Sequence, residues 1–277
     1  MTKSHRPPPY LSIIIPAFNE NRRLPLALKQ IREYVERAGL QVEVIVVDDG
    51  SSDGTAAAAA RFDHGSMPLT VLRNRINRGK GYSVRRGIRR AKGEVLLMTD
   101  ADQSTPIWEI EKALPYLNIG YSVVIGSRDM RESEVIHQPP LRWLMGKLLR
   151  FFRGHLMLRD ISDTQCGFKC FARRAGKHIF ARQRIDGFAF DCEVLMLARH
   201  LGYRIKEIGV IWCDDRDSRV KPVRDSIRML VSLIKIRWRF RKPPAKPALD
   251  GSARSPILDE DNPKDSPSRN GRGPVPD

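Results

Sequence analysis

This sequence has no stretch that is both long enough and apolar enough to cross a membrane as a helix. A spanning helix needs about 18 or more consecutive apolar residues, and in this chain of 277 residues polar or charged side chains interrupt every apolar run before that length. We therefore expect any contact with a membrane to be peripheral.

Cysteine is scarce as well, and its pattern argues against a disulfide framework. The four cysteines, Cys166, Cys170, Cys192 and Cys213, follow no regular spacing, and no signal peptide precedes them. Small secreted domains that depend on disulfides have denser cysteine patterns, so we expect free thiols in a reducing cytoplasm. A metal site at Cys166 and Cys170 is disfavoured, because no second pair of Cys or His residues accompanies them.

Acidic residues are too few to balance the basic ones. The chain has 49 lysines and arginines against 32 aspartates and glutamates, which gives a net charge of +17. Residues 243–277 contain five basic and six acidic residues, so the part before them carries +18. Such a surface attracts nucleic acids, anionic lipids or phosphorylated small molecules. Nucleic acid is the less favoured partner, because we recognise no binding module and the aromatic residues lie among aliphatic ones.

The sequence does contain a regular alternation of strand and helix patterns. Apolar runs predict strands, and apolar residues three or four apart predict helices. The predicted strands cover 11–15, 42–47, 69–72, 95–98, 122–125 and 208–212, and the predicted helices cover 23–38, 55–61, 77–91, 191–201 and 224–241. This alternation predicts an α/β fold with helices flanking a mostly parallel sheet. We expect a flexible leader over 1–10, one folded domain over 11–242 and a disordered tail over 243–277.

Two basic amphipathic stretches, 141–159 and 222–242, carry large apolar residues among arginines and lysines. Helices of this kind dock on anionic lipid with their aromatic side chains at the boundary. We expect both stretches to face a membrane; the alternative is a core helix with a solvated cationic face. The end of the second stretch, IKIRWRFR, also alternates with period two, so helix and strand both remain open there.

The segment Glu94–Pro106, EVLLMTDADQSTP, combines a buried strand with two carboxylates. Asp100 and Asp102 follow the apolar run at its carboxyl end, which is the edge of an α/β sheet where ligands bind. Two hard oxygen ligands suit Mg²⁺ or Mn²⁺ that carries substrate phosphates. We also expect Thr105 to cap the next helix and Pro106 to begin it. The alternative is a solvated pair of aspartates in a loop, because D-x-D is common by chance.

Two further strand ends carry polar or small residues, PAFNE after the first strand and DDGSSDGT after the second. The carboxyl ends of parallel strands meet at one edge, where a nucleotide would fit. Phe18 or the backbone of Pro16 would contact a base, and Asp49 would accept a hydrogen bond from a pyrimidine imide or a ribose hydroxyl. The alternative is that DDGS is a turn that caps the following helix through Ser52 or Asp53.

A series of motifs in the chain resembles a known family. The chain contains, in this order, SIIIPAFNE, VVDDGSSDGT, NRGKGYSVRRG, TDADQSTP, GSRDM and DTQCGFKCF. Together they span roughly 11–241 and resemble the motifs of inverting, family 2 glycosyltransferases with a GT-A fold, which include dolichyl-phosphate mannose and glucose synthases. The last motif, followed by FAFDCE, most resembles the dolichyl-phosphate glucosyltransferase branch. The chain departs from the family at Gln103, usually Leu, and at Phe188, often Trp in the glucose branch.

The resemblance implies a site for a nucleotide sugar, a divalent metal ion and an acceptor phosphate. It implies nucleotide contacts at Pro16, Phe18, Glu20, Asp49 and Asp102, and Mg²⁺ or Mn²⁺ at Asp100 and Asp102, with Asp100 beside the nucleotide sugar as well. The candidates for holding the acceptor phosphate are Arg128, Arg142 and Arg219. The candidate catalytic residues are Asp102, Arg128, Asp163 and Asp191.

Three of the candidate residues keep a structural alternative. Lys80 either reaches a phosphate of the nucleotide sugar or belongs only to a helix entry. Asp163 and Asp191 either orient sugar hydroxyls or form a turn and a helix cap, respectively.

The implied reaction is transfer of a hexose, most readily glucose, from a UDP-sugar to a dolichyl or other polyprenyl phosphate at the cytoplasmic face of a membrane. A phosphate monoester is largely ionised at neutral pH, with a second pKa of about 6, so it needs positioning and nearby positive charge more than a strong base. Single displacement at C1 would give a β-linked product from an α-linked donor. The alternatives are a GDP-mannose donor, a water-soluble acceptor or nucleic-acid binding, and the oligomeric state stays open.

Overall fold

A seven-stranded sheet forms the centre of the computed structural model, which describes residues 9–136, 160–213 and 222–240, with the backbone alone for 222–230. Its strands are β1 (Leu11–Ala17), β2 (Val42–Asp48), β3 (Leu69–Arg73), β4 (Val95–Met98), β5 (Val123–Ser127), β7 (Lys169–Ala172) and β8 (Ile205–Gly209). Their order across the sheet is β3-β2-β1-β4-β7-β5-β8. A separate parallel pair is formed by β6 (Glu134–Ile136) and β9 (Ile211–Cys213).

Helices cover both faces of the large sheet. They are α1 (Arg23–Ala38), α2 (Thr55–Arg61), α3 (Lys80–Arg90), α4 (Ile110–Asn118), α5 (Arg173–Arg182), α6 (Phe190–His200) and α7 (Pro222–Arg239), and a short 3₁₀ helix (Ile107–Glu109) precedes α4. Ile13 and Ile15 of β1 belong to the apolar core with α1, whereas Ile14 belongs to the core with α3. The strands are therefore buried on both faces, which explains their continuous apolar sequences.

The direction of β7 brings the second half of the chain to the strand ends of the first half. β7 runs antiparallel to both of its neighbours, β4 and β5. Its first residue, Lys169, lies opposite Met98 of β4 and Ile125 of β5. The segment 160–168 that precedes β7 therefore lies at the carboxyl edge of β4 and β5.

The predicted α/β architecture is confirmed, with one wrong strand. A single strand was predicted over 208–212, but β8 ends at Gly209 and β9 begins at Ile211. The chain leaves the large sheet at Gly209, where it passes so close to Glu132 that a Cβ would lie 2.4 Å from Glu132 Cγ. This close approach lets β9 pair with β6 and not extend β8.

The predicted start of the helix after β4 is wrong as well. Pro106 keeps an extended ψ of 149° and precedes the 3₁₀ helix, which begins at Ile107. Thr105 does not cap this helix, because its buried Oγ1 lies 3.6 Å from the Sγ of Cys166. A contact with the segment before β7 thus takes the place of the expected local cap.

The C-terminal helix packs on the domain through one face. α7 is helical as far as Arg239, so residues 234–239 of the alternating stretch IKIRWRFR form a helix and not a strand. Leu233 and Ile236 are each 2% exposed and pack against Ala189 and Cys192 around the start of α6. This apolar contact seats α7 behind the first turn of α6.

Several predicted segments lie outside the described residues, namely residues 1–8 of the leader, the stretch 141–159 and the tail 243–277. Among the helices of the described ranges, none is both long and apolar enough to pass through a bilayer. The four cysteines are free thiols, as the sequence predicts.

Candidate active site

A tight turn after β4 carries Asp100 and Asp102 at the carboxyl edge of the sheet. Gln103 adopts a left-handed φ of 51°, which is uncommon for a residue with a side chain, and its backbone N–H donates to the Asp100 carbonyl at 3.2 Å. Its side-chain amide donates to Thr99 Oγ1 at 3.2 Å and to the Asp100 carbonyl at 3.1 Å. Gln103, which departs from the family pattern, therefore stabilises the turn that carries Asp100 and Asp102.

The two carboxylates of this turn act on each other electrostatically. Asp102 Oδ1 accepts a hydrogen bond from the Ser104 backbone N–H at 3.0 Å. Burial raises the pKa of Asp102, and the negative charge of Asp100 raises it further, against the opposing charge of Arg23. A divalent cation would relieve this repulsion, and two carboxylates fit Mg²⁺ or Mn²⁺. Within the described ranges no group of three or more His, Cys, Asp or Glu side chains could enclose a metal.

Gly167 lies directly against Asp100. A Cβ on Gly167 would lie 1.8 Å from Asp100 Oδ2 and 2.4 Å from Asp100 Cγ, far inside van der Waals contact. The glycine of DTQCGFKCF is therefore needed because the segment before β7 packs on a predicted metal ligand.

We expect Gly167→Ala to weaken the binding of Mn²⁺ by about tenfold or more, because the added methyl group must displace the Asp100 carboxylate. Titration of the purified protein with Mn²⁺, followed by electron paramagnetic resonance, measures this affinity without any substrate. Gly87→Ala is the matched control, since its Cβ would lie 2.5 Å from Ile14 Cγ2 in the core. An unchanged Mn²⁺ affinity in Gly167→Ala would remove Asp100 from the metal site.

The start of α3 joins the end of β2 to the turn after β4. Asp49 accepts hydrogen bonds from the backbone N–H groups of Arg78, at 2.9 Å, and Gly79, at 2.7 Å. Lys80, the first residue of α3, places its Nζ 2.6 Å from Asp100 Oδ1. Asp49 and Asp100 therefore contact consecutive residues and lie in one site.

Lys80 is an ammonium group that is held among carboxylates. Burial opposes its charged form, but the negative charges of Asp100, Asp191 and Asp102 outweigh burial and raise the pKa of Lys80 above its usual value. Lys80 is thus both a helix entry and a fixed positive charge at the strand edge. Its contact with a phosphate stays a prediction.

A buried ion pair lies behind the strand edge. The Nζ of Lys169, which is 0% exposed, lies 2.6 Å from Asp191 Oδ1 and donates to the Cys166 carbonyl at 2.6 Å. Burial raises the pKa of Asp191, although the ammonium groups of Lys169 and Lys80 oppose the shift. The helix-cap alternative for Asp191 is wrong, because α6 is preceded by Ala189 and has no side-chain cap. Sequence reasoning missed Lys169, whose signal is a lysine inside an apolar strand.

A second ion pair lies where β5 ends. Arg128 donates to Asp163 through Nε at 2.6 Å, through Nη2 at 3.0 Å and through its backbone N–H at 3.2 Å. Burial opposes the charge on the guanidinium, but Asp163 outweighs it and raises the pKa of Arg128. The guanidinium carbon lies 5.3 Å from the ring centre of Trp212. Asp163 also accepts from the Gln165 N–H at 3.0 Å, so the turn considered as its alternative role is present.

The loop after β1 lies against the loop after β2. Asn19 donates through its backbone N–H to Ser51 Oγ at 2.8 Å and accepts through Oδ1 from the Ser52 N–H at 3.0 Å. Pro16 is half-buried at the end of β1, and Phe18 is 41% exposed. The Phe18 ring is therefore accessible to a ligand at this edge.

Glu20, in the loop after β1, forms an ion pair with Arg23 near the carboxyl edge of the sheet. Its carboxylate accepts from Arg23 Nε at 2.6 Å and Nη2 at 2.5 Å, and the charge of Arg23 partly opposes the rise in the pKa of Asp102 that burial and Asp100 cause. The loop after β1 is thus within electrostatic reach of the turn after β4, and a direct contact of Glu20 with a nucleotide stays a prediction.

The turn considered as the alternative role of DDGS is present at Asp53, four residues after Asp49. Asp53 Oδ1 accepts from the Thr55 N–H at 3.0 Å and from Thr55 Oγ1 at 2.5 Å. Asp49, in contrast, faces the residues before α3. Asp53 therefore stabilises the start of α2, whereas Asp49 contacts the segment before α3.

Most of the described candidate residues lie at or just beyond the carboxyl ends of β1, β2, β4 and β5 or just before β7. Lys80 and Asp191 lie in the first turns of α3 and α6 and contact Asp100 and Lys169, respectively. The described candidates are Pro16, Phe18, Glu20, Asp49, Lys80, Asp100, Asp102, Arg128, Asp163 and Asp191. The remaining two candidates, Arg142 and Arg219, lie outside the described residues.

Comparison with known sequences identifies the family. Residues 12–180 match the family described as Glycosyl transferase family 2. The dolichyl-phosphate beta-glucosyltransferase of Homo sapiens is 35% identical over 248 residues, which cover 84% of this chain and 76% of the human protein. The protein of the same name from Saccharomyces cerevisiae is 32% identical over 253 residues, which cover 83% of this chain and 75% of the yeast protein.

Solved structures share the fold at low sequence identity. Glucosyl-3-phosphoglycerate synthase from Mycobacterium tuberculosis, crystallised with Mn²⁺, UDP and glucosyl-3-phosphoglycerate, has a TM-score of 0.63 at 17% identity, over 86% of this chain and 82% of that one. A mannosyltransferase from Pyrobaculum calidifontis, crystallised with GDP-Man and Mn²⁺, has a TM-score of 0.57 at 22% identity. The match covers 86% of this chain and 66% of the mannosyltransferase. The chain belongs to glycosyl transferase family 2 and is a glycosyltransferase with the GT-A fold.

Proposed function

We propose that this glycosyltransferase moves glucose from UDP-glucose to dolichyl phosphate or another polyprenyl phosphate, with inversion at C1. The observation that carries the proposal is the shared sheet edge, where the loops after β1, β2 and β4 meet the segment before β7. The human dolichyl-phosphate beta-glucosyltransferase, which is 35% identical in an alignment that covers 84% of this chain, supports glucose as the sugar and dolichyl phosphate as the acceptor.

The uracil of the donor would lie beside Asp49. This carboxylate accepts hydrogen bonds from Asn74 Nδ2 at 2.7 Å and from the N–H groups of Arg78 and Gly79. A carboxylate has about four acceptor positions, so Asp49 can still accept from the imide N–H of uracil. The accessible ring of Phe18 would cover the base from the loop after β1.

The diphosphate would lie at the turn after β4. Asp100 and Asp102 would hold Mg²⁺ or Mn²⁺, and two proteins of the same fold crystallised with Mn²⁺ support this choice. The ion, when bound, would stabilise the departing diphosphate as a Lewis acid. Lys80 adds a second positive charge at the same place, because its ammonium is already held there by Asp100.

The acceptor phosphate would lie beside Arg128. The pair with Asp163 uses Nε and Nη2 of the guanidinium, and Nη1 provides two further N–H donors. A phosphate dianion beside a diphosphate is repelled by like charge, so a fixed arginine is what the nucleophile requires. Arg142 and Arg219 are proposed to add to this charge.

Transfer assays with a panel of donors test the proposal. Purified protein in detergent, with Mn²⁺ and a polyprenyl phosphate, should convert labelled UDP-glucose to a lipid-linked β-glucoside, whose anomeric configuration is read by NMR. UDP-N-acetylglucosamine, UDP-galactose and GDP-mannose should be poorer donors. Transfer from GDP-mannose alone would favour the mannosyltransferase alternative, and transfer to a water-soluble acceptor without lipid would contradict the polyprenyl acceptor.

We propose that the enzyme acts as a peripheral protein at the cytoplasmic face of a membrane, with α7 at the lipid surface. Val231, Ile234 and Trp238 are exposed at helical spacing, on the face opposite the buried Leu233 and Ile236. Basic residues lie along the same helix, and each one near an anionic surface contributes about 1 kcal/mol. An apolar strip flanked by cations is the pattern of an interfacial helix.

We expect Ile234→Glu to weaken binding to anionic vesicles by about tenfold, because it removes an inserted apolar side chain and adds a repelled charge. Flotation with vesicles that contain phosphatidylserine measures the effect. Ile119→Glu makes the same change at another exposed isoleucine, at the end of α4, and should float like the wild type; Ile234 and Ile119 are 49% and 65% exposed. Equal flotation of both variants would exclude α7 from the membrane contact.

A further inference from the structure

A buried carboxylate outside the catalytic edge joins three segments of the chain. Glu193 is fully buried in α6, two residues after Asp191. Its Oε2 accepts from the N–H groups of Arg184, at 3.0 Å, and Ile185, at 2.7 Å, and its Oε1 accepts from Arg239 Nη1. One side chain of α6 therefore holds both the loop between α5 and α6 and the end of α7.

Arg239 fixes α7 to the domain at two points. While Nη1 contacts Glu193, Nη2 donates to the Arg182 carbonyl at the end of α5, at 2.9 Å. The same helix buries Leu233 and Ile236 around the first turn of α6. The Arg239 guanidinium thus connects α7 to both α5 and α6, the helices on either side of the 183–187 loop.

The 183–187 loop lies on the first turns of α3. The Asp186 carbonyl accepts from the Tyr82 N–H at 3.2 Å, and Asp186 Oδ1 accepts from Arg85 Nη2 at 2.7 Å. Arg85 also donates to the Gln183 carbonyl at 3.3 Å. These contacts fix the position of the α3 entry relative to the loop.

The loop touches the backbone on both sides of Lys80. A Cβ on Gly79 would lie 2.4 Å from the Asp186 carbonyl oxygen, and a Cβ on Gly81 would lie 2.5 Å from the Ile185 carbonyl oxygen. Such close packing leaves the α3 entry no room to move independently of the loop. A shift of the loop must therefore move Lys80.

We propose that Glu193 is a positioning residue that couples the seating of α7 to the donor edge of the site. Arg239 holds Glu193, Glu193 holds the 183–187 loop, and the loop holds Lys80 against Asp100. The position of α7, the helix proposed to contact the membrane, would thereby determine the position of the Lys80 ammonium group, which is proposed to contact the diphosphate. The inference rests on the proposed function through the choice of UDP as the probe.

Arg239→Gln in the full-length protein tests the coupling. We expect the affinity for UDP, measured by calorimetry with Mn²⁺ and without lipid or acceptor, to fall about fivefold to tenfold. Hydrogen exchange should become faster in 183–187 and in 78–82. Lys235→Gln is the control, because it removes one positive charge from an exposed position in the same part of α7, and it should leave both readouts unchanged.

Two further variants separate positioning from plain stability. Arg239→Lys keeps the charge and should restore much of the UDP affinity, whereas Glu193→Gln should reproduce the loss. A lowered melting temperature in Arg239→Gln with unchanged exchange in 78–82 and unchanged UDP affinity would overturn the inference, as would an equal effect of Lys235→Gln. Failure of the wild-type protein to bind UDP would count against the proposed function, while the exchange data would still test the coupling.

Discussion

Asp102→Asn is expected to lower the kcat of glucosyl transfer by roughly a hundredfold to a thousandfold. The amide keeps the size of the side chain but removes the charge that would hold the metal ion together with Asp100. Asp102 is half-buried, and burial together with the charge of Asp100 raises its pKa, so a neutral amide there leaves the cation with Asp100 as its one carboxylate in this turn. Transfer of labelled glucose to a polyprenyl phosphate, with saturating UDP-glucose and Mn²⁺, measures the loss.

Asp63→Asn provides the control for Asp102→Asn. Its side chain is 89% exposed and pairs with Arg32 away from the sheet edge, so the same loss of charge should leave transfer unchanged. A titration with Mn²⁺ alone should show weaker binding only in Asp102→Asn. Wild-type transfer by Asp102→Asn would remove the metal assignment, and with it the proposed placement of the diphosphate.

The first half of the site could be predicted from the sequence because its residues lie next to strand ends. Asp49 comes directly after β2, and Asp100 and Asp102 come within four residues of the end of β4. In a parallel sheet such positions converge by topology alone. Local patterns therefore sufficed to name them, and to place Lys80 at a helix entry.

The second half of the site depends on contacts that no local pattern specifies. Lys169 and Asp191 pair across 22 residues, and Gly167 meets Asp100 only because β7 enters the sheet antiparallel. Nothing in DTQCGFKCF states the direction of that strand. The error at Thr105 has the same origin, since its contact with Cys166 overrode the expected helix cap.

Arg128→Met is expected to lower both the stability of the protein and its use of the acceptor. Asp163 is fully buried and would lose a bidentate partner, and an uncompensated buried charge costs about 3 to 5 kcal/mol. For a domain of this size that corresponds to a fall of roughly 10 °C in Tm. The KM for polyprenyl phosphate should rise more than the KM for UDP-glucose, because Arg128 lies at the end of β5 and not at the loops that would hold the nucleotide.

The double variant Arg128→Met/Asp163→Asn separates the structural role of the pair from its role in catalysis. Replacing both charges removes the uncompensated carboxylate, so most of the lost Tm should return. The acceptor KM should stay high, since no guanidinium remains to meet the phosphate dianion. Recovery of both Tm and acceptor KM would show that Arg128 serves only to neutralise Asp163. If Arg128 binds the acceptor phosphate, the double variant should recover its Tm but keep a high acceptor KM. In that case acceptor binding depends on the positive charge of Arg128 itself and not on its ion pair with Asp163.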